Sequence, residues 1–214
     1  MSARAVPHTE LLCVTPEADK LIEQAGRLCH RSAVVDAQAR NAFIMRLIRM
    51  GHESVLEHAS ATFLFCGSRA FTHQLVRHRL CSFSQVSQRY VKHGGFDYMA
   101  PATVKTRAQL HIFRKAMETA QDHYKLLAEM GVKLEDARFV LPNACLSEII
   151  VTANIRQWRK MFELRCSKHA QWEIRERMIE ALDHLQRNES TAVLFGDFEV
   201  DPETKTAVLV RPYK

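Results

Sequence analysis

"RHRLCSFSQVSQRY", Arg77 to Tyr90, sets three arginines and a histidine among the hydroxyls of Ser82, Ser84, Ser87 and Tyr90 without one carboxylate. The depletion reaches further, since no Asp or Glu occurs from His58 to Phe96 while Arg69, Arg77, Arg79, Arg89 and Lys92 all do. Grouped arginines are commonly a solvated basic face. Here they alternate with Ser82, Ser84, Gln85, Ser87 and Gln88, neutral groups that bind phosphate and base edges without cancelling charge. The stretch calls for an anion, and a nucleotide is the economical one.

A chain of 214 residues, 47% hydrophobic and 25% charged, has the size and balance of one globular domain, and a single domain over residues 1–214 is expected. The net charge of +6 favours anionic partners without separating polymers from small molecules. Cys13, Cys29, Cys66, Cys81, Cys145 and Cys166 are scattered with no C-x-x-C pair. "MSARAVPHTELLCV" has polar residues where a signal peptide needs an apolar run, so reduced thiols and a cytoplasmic location are expected. No apolar run approaches the roughly 18 residues that span a bilayer, which argues against a membrane role.

Outward from the opening stretch, "SATFLFCG" reads as a strand buried on both faces, and a helix over about Ser68 to His78 delivers the Arg-His-Arg. Upstream, Ile44, Leu47 and Ile48 repeat at helical spacing between an Asp36 N-cap and a stop at Gly51. Downstream, Leu110, Phe113, Met117, Ala120, Tyr124 and Leu127 mark a long amphipathic helix ended by Gly131. "LSEIIVTANI" predicts a strand, "RQWRKMFELR" and "AQWEIRERMIEALDHLQR" predict helices, and "FEVDPETKTAVLV" predicts a hairpin about Asp-Pro. With no internal repeat, no flexible linker and no regular βαβ rhythm, the class is α+β.

Two further segments carry chemistry. In "GHESVLEH", Gly51 to His58, Ser54-x-x-Glu57 fits a helix capping box. A zinc H-E-x-x-H pattern would need His where Leu56 stands, and His52 and His58 lack a supporting ligand, so no metal is expected. In "ANIRQWRKMFELRCSKHAQWEIR", Asn154, Arg156, Arg159, Lys160, Arg165 and Lys168 sit on a helix pinned by Ile155, Trp158 and Phe162. Some of these cations are plain solvated positions, yet two separated basic clusters suit a ligand with several phosphates.

"RHRLCSFSQVS" satisfies an RHR-x7-S signature from Arg77-His78-Arg79 to Ser87, continued through Arg89 and Tyr90. With "GHESVLEH" before it and "LRCSKHAQWEIR" after it, in order and at compatible distances, the chain closely resembles the flavin-dependent thymidylate synthases over about Cys29 to Arg177. The resemblance implies an FAD-dependent methyltransferase that converts dUMP to dTMP, with methylenetetrahydrofolate as carbon donor and NADPH as reductant. All these ligands are anionic. It also implies a small, mostly antiparallel sheet packed by several long helices, and a homotetramer whose active sites are shared between subunits. Neither a metal nor nucleic acid belongs to that picture.

By the same resemblance, Gln74, Arg77, Gln85, Val86, Ser87, Gln88, Arg89, Arg138 and Arg165 surround dUMP. Ser54, Glu57, Arg77, His78, Arg79, Gln85, Asn154, Arg156 and Lys160 lie along FAD, and His52 and Tyr90 line the flavin and folate access. Arg165 carries the chemistry, because a fixed guanidinium beside the uracil stabilises negative charge as C5 becomes nucleophilic; it is no general base at neutral pH. No enzyme nucleophile is implied, so Cys81 reads as a packing residue and Ser87 as a hydrogen-bonding one. Ser84-Gln85 stands where many relatives have Asn-Glu, and Lys160 where His or Asn is usual. Two other readings compete. A nucleic-acid module would use the same arginines on phosphates but leaves the flanking motifs unexplained, and a degenerate flavoprotein would keep FAD without methylating.

Overall fold

Four helices of this chain start where a short polar side chain, Asp36, Ser68, Thr106 or Asn154, stops an extended segment, and the computed structural model describes residues 6–28, 36–88 and 96–210. The order is β1 (His8–Val14), α1 (Ala18–Leu28), α2 (Ala37–Arg49), a 3-10 turn at Glu53–His58, β2 (Ser60–Ser68), α3 (Arg69–Leu75) and β3 (Ser82–Gln85). There follow α4 (Arg107–Glu129), α5 (Leu134–Ala137), β4 (Leu146–Asn154), α6 (Ile155–Arg165), α7 (Trp172–Arg187), β5 (Phe198–Asp201) and β6 (Thr206–Leu209). Arg89 and Tyr90 lie outside the described residues.

Asp36 Oδ1 accepts from the Ala39 amide at 2.9 Å ahead of α2, and Ser68 Oγ from Phe71 at 3.1 Å ahead of α3. Asn154 Oδ1 accepts from Gln157 at 2.8 Å ahead of α6. Thr106 and Gln109 form a complete capping box before α4. Each such cap contributes about 1 kcal/mol to its helix. The stops are also where the sequence puts them, Gly51 (φ +76°) after α2 and Gly131 (φ +85°) after α4, in the left-handed region that strains other residues.

The strands form one sheet in the order β1-β2-β4-β3, while β5 and β6 pair antiparallel from Phe198↔Leu209 to Asp201↔Thr206 around the expected Asp-Pro turn. The expected α+β class is therefore found. Three local expectations are corrected. β2 alternates buried and half-buried residues as far as Leu64, and burial becomes continuous only from Phe65. Helix α3 ends at Leu75, so Arg77-His78-Arg79 follow it rather than end it. The capping box at Ser54 and Glu57 does not form, because Ser54 lies inside the 3-10 turn and Glu57 instead takes a charge-assisted bond from Arg156 at 2.6 Å.

The chain divides into two compact units, one of residues 1–8, 65–77 and 84–149, the other of residues 9–64, 78–83 and 150–214. In the first, Phe65 packs on Phe71 with ring centroids 5.8 Å apart, and Tyr98 on Phe113 of α4 at 6.0 Å. Met117 and Tyr124 are the buried members of the α4 stripe, with its other members half-buried. In the second, Trp158 is wholly buried and donates its indole N–H to the Ala61 carbonyl at 3.0 Å. Phe63 meets its ring edge-on at 5.0 Å and Phe162 stacks at 5.7 Å, a cluster that Phe195 and Phe198 extend.

Arg159, read from sequence as one of a basic cluster, is 5% exposed and grips both oxygens of Asp197 at 2.7 and 2.6 Å. It also donates to the Leu194 carbonyl, so this cation is structural. Asp197→Ala leaves a buried charge without its partner and should cost about 3–5 kcal/mol of stability, whereas the paired change Arg159→Met with Asp197→Leu should cost far less. Urea unfolding of the three proteins measures both; a single-mutant loss below about 1 kcal/mol would deny the pair this role.

Candidate active site

In the first unit, Arg69 and the half-buried Arg138 come close enough for their charges to repel, and burial with that repulsion lowers the Arg69 pKa. Arg69 Nη2 lies 3.0 Å from His73 Nε2, and Arg77 Nε donates to the His73 carbonyl at 3.1 Å. A guanidinium only donates, so His73 Nε2 accepts and is unprotonated. Burial, then the charges of Arg69 and Arg77, hold its pKa below the usual imidazole range. Arg138 Nε donates to the Glu135 carbonyl at 3.0 Å. Among the described residues, Arg69, Arg77 and Arg138 form no ion pair with any carboxylate. Like charges gathered without counter-charge raise the free energy of the ligand-free protein, which an anion relieves.

The same unit holds Gln74 on α3, Gln85 at the end of β3, and Val86, Ser87 and Gln88 beyond it. The Val86 amide donates to the Glu148 carbonyl of β4 at 3.0 Å, which fixes where this segment leaves the sheet. Gln85 turns its amide towards the hydroxyls of Thr72 and Ser147.

In the second unit, Arg165 at the end of α6 donates through Nε to His78 Nε2 at 3.0 Å. Sequence reasoning placed these two against different ligands, and it is the return of the chain after α3 that sets them side by side. Accepting this bond requires a neutral imidazole, and burial, reinforced by the Arg165 charge, lowers His78 to a pKa of about 4. His78 thereby orients the guanidinium without competing for its charge.

Glu57, Asn154, Arg156 and Lys160, four of the residues expected along FAD, line one cavity of about 660 Å³ with Glu53, Leu80, Gln157, Arg159, Glu163 and Leu209. That volume suits a small-molecule or cofactor site. Its cations are not bare. Arg156 bonds Glu57 at 2.6 Å and approaches Glu53 at 3.7 Å, and Lys160 lies 3.6 Å from Glu163. Ser54, Arg79 and His52 are exposed and outside this cavity's lining.

Cys81 sits 3.5 Å from Met161 Sδ, and burial pushes its thiol up to about 11 against a smaller opposing bond from Gln157. Burial raises Cys145 to about 12 and raises Cys166 as well. At neutral pH all three are thiols and poor nucleophiles. Among the described residues, no helix is long and apolar enough to cross a membrane, and no group of three His, Cys, Asp or Glu could hold a metal. Sequence reasoning missed Glu53, Glu163, Thr72 and Ser147. Only Glu163, three residues from Lys160 on one helix, carried a readable signal.

A family model described as thymidylate synthase complementing protein matches residues 10–188. The flavin-dependent thymidylate synthase of Geobacter sulfurreducens is 46% identical over 183 residues, covering 80% of this chain and 79% of its own length. That of Clostridium tetani is 40% identical over 203 residues, covering 83% and 82%. The like-named protein of Mycobacterium tuberculosis is 40% identical over 209 residues, covering 87% and 83%.

The His78 pKa makes a prediction about acid stability. The unfolded chain takes up this proton near pH 6.5 and the native one only near 4, so the contribution is present above pH 6.5 and lost as pH falls towards 4. Other groups titrate there too, so the comparison is with His78→Gln. The parent should lose denaturant stability more steeply than the variant between pH 6.5 and 4; parallel curves would mean that His78 is charged in the native protein.

Proposed function

Because the chain belongs to the thymidylate synthase complementing protein family, we propose that it is a flavin-dependent thymidylate synthase that methylates dUMP to dTMP. FAD is the cofactor, methylenetetrahydrofolate the carbon donor and NADPH the reductant. The observation that carries this reading is the Arg165 guanidinium held at 3.0 Å by a neutral His78. A fixed, always-charged group offsets negative charge on a uracil ring as C5 becomes nucleophilic, and it needs no reorganisation to do so.

Around dUMP we assign Gln74, Arg77, Gln85, Val86, Ser87, Gln88, Arg89, Arg138 and Arg165. Among the described residues neither Arg77 nor Arg138 is ion-paired with a carboxylate, which supports a phosphate there. For FAD we assign Ser54, Glu57, Arg77, His78, Arg79, Gln85, Asn154, Arg156 and Lys160, with His52 and Tyr90 at the flavin and folate access. The donor set suits it. Glu57 offers an acceptor for amino or hydroxyl groups, and Arg156 and Lys160 offer charge for a pyrophosphate, all from one cavity lining. To meet phosphate, Arg156 shares its guanidinium between the ligand and Glu57 or releases the exposed pair, which costs little. The chemistry FAD supplies when bound is the passage of reducing equivalents from NADPH to the carbon being transferred. The residues of the chain bind, orient and neutralise charge.

No protein nucleophile takes part, in keeping with the raised pKa of Cys81. We place the enzyme in the cytoplasm, as a single synthase domain over residues 1–214 working in a homotetramer with shared sites. The free thiols of Cys13, Cys66, Cys81, Cys145 and Cys166 suit a reducing compartment.

Purified protein should show an oxidised-flavin absorbance band and, after anaerobic reduction by NADPH, form dTMP only when dUMP and methylenetetrahydrofolate are both present. Flavin reduction without dTMP would leave a degenerate flavoprotein. Salt-sensitive nucleic-acid binding with no chromophore would replace the reading altogether. Cys81→Ala should keep most of the activity per bound flavin; a loss of several orders of magnitude with FAD still bound would bring the thiol into the mechanism.

A further inference from the structure

The amide of Gln85 is held by a chain of hydrogen bonds that leaves one orientation. Its Nε2 donates to Thr72 Oγ1 at 2.9 Å and to Ser147 Oγ at 3.0 Å. Thr72 Oγ1 in turn donates to the Arg69 carbonyl at 3.3 Å. A hydroxyl has one proton, so a Thr72 that gives it to Arg69 must accept from position 85. Only the nitrogen end of the Gln85 amide satisfies that demand, and both of its protons are used. Thr72 is wholly buried and Ser147 is 6% exposed, so water does not readily replace either bond. Among the described residues Oε1 has no hydrogen-bond partner. What the half-buried Gln85 has left for a ligand is an acceptor.

We propose that Thr72 and Ser147 are positioning residues that fix Gln85 as a hydrogen-bond acceptor, so that the nucleotide site selects a ligand presenting an N–H or O–H donor at that point. The proposal rests on the reading above, in which Gln85 belongs to the dUMP site. It deepens that reading by adding two buried residues that touch no ligand and by giving Gln85 a sign. In dUMP the eligible donors are the uracil N3–H and the ribose 3′-hydroxyl. A site built to accept from such a donor rejects an analogue that lacks it, because the acceptor is then left unpaired.

The test is calorimetric binding to the FAD-loaded protein of three ligands, namely dUMP, its N3-methyl analogue and its 3′-deoxy analogue. The parent should prefer dUMP over one of the two analogues by about tenfold or more, and which one identifies the donor that faces Oε1. Thr72→Val and Ser147→Ala each release one side of the amide and should shrink that ratio to about threefold or less, while Thr72→Ser, which keeps the hydroxyl, retains it. Gln85→Met removes the acceptor and should abolish the preference. A purely structural role for Thr72 and Ser147 would weaken all three ligands alike and preserve the ratio. Parent-like ratios in folded, FAD-bound Thr72→Val and Ser147→Ala, or a parent that rejects neither analogue, overturn the proposal. A parent that binds FAD but no dUMP overturns the synthase reading and this proposal with it.

Discussion

The burial of Trp158 is the constraint on which the second unit depends. With the indole wholly enclosed and its N–H on the Ala61 carbonyl, one face of α6 is committed to β2 and to the aromatic cluster. Helical geometry decides the rest. Ile155 and Phe162 are buried on the same side, so Arg156 and Lys160 are thrown outwards to line the cavity, and Arg165 is carried to the end of the helix beside His78. Arg156 and Lys160 are where they are because Trp158, two places from each, has nowhere else to go.

The two units handle positive charge in opposite ways. In the second, each cation that α6 contributes to the cavity meets a carboxylate, from the tight, enclosed Arg159–Asp197 pair to the loose, exposed Lys160–Glu163 contact. In the first, Arg69 bonds the ring and Arg77 the carbonyl of a histidine that stays neutral, while Arg138 lies close enough to Arg69 to repel it. The paired arrangement of the second unit holds geometry and is nearly self-sufficient. That of the first unit is electrostatically incomplete, and an anion lowers its energy.

Much of the scaffold was legible because its signals are local. Asp36 caps within three residues, Gly51 and Gly131 stop helices by their own backbone freedom, and Asp201-Pro202 makes its turn from its own residues. The absence of acids between His58 and Phe96 was also readable, and among the described residues Arg69 and Arg77 indeed form no ion pair. What failed was whatever depended on partners far along the chain. Glu57 looked like a cap because the residue that claims it, Arg156, lies 99 positions away. Arg159 looked like a ligand-binding cation because Asp197 lies 38 positions on. The inward turn of Gln85 needs Thr72 and Ser147, from a helix and a strand whose meeting no local pattern announces.

The uncompensated cations of the first unit also bear on how quickly a ligand arrives. Fields from paired charges cancel within a few ångströms, whereas those from Arg69, Arg77 and Arg138 extend into solvent as far as the ionic atmosphere permits, about 8 Å at physiological salt. An approaching polyanion is drawn in by that residual field, so its association rate is set by ionic strength while its departure is set by contacts made at close range. A carboxylate placed among these arginines would stabilise the empty protein and slow its filling. The repulsion between Arg69 and Arg138 persists in the empty protein until an anion offsets it.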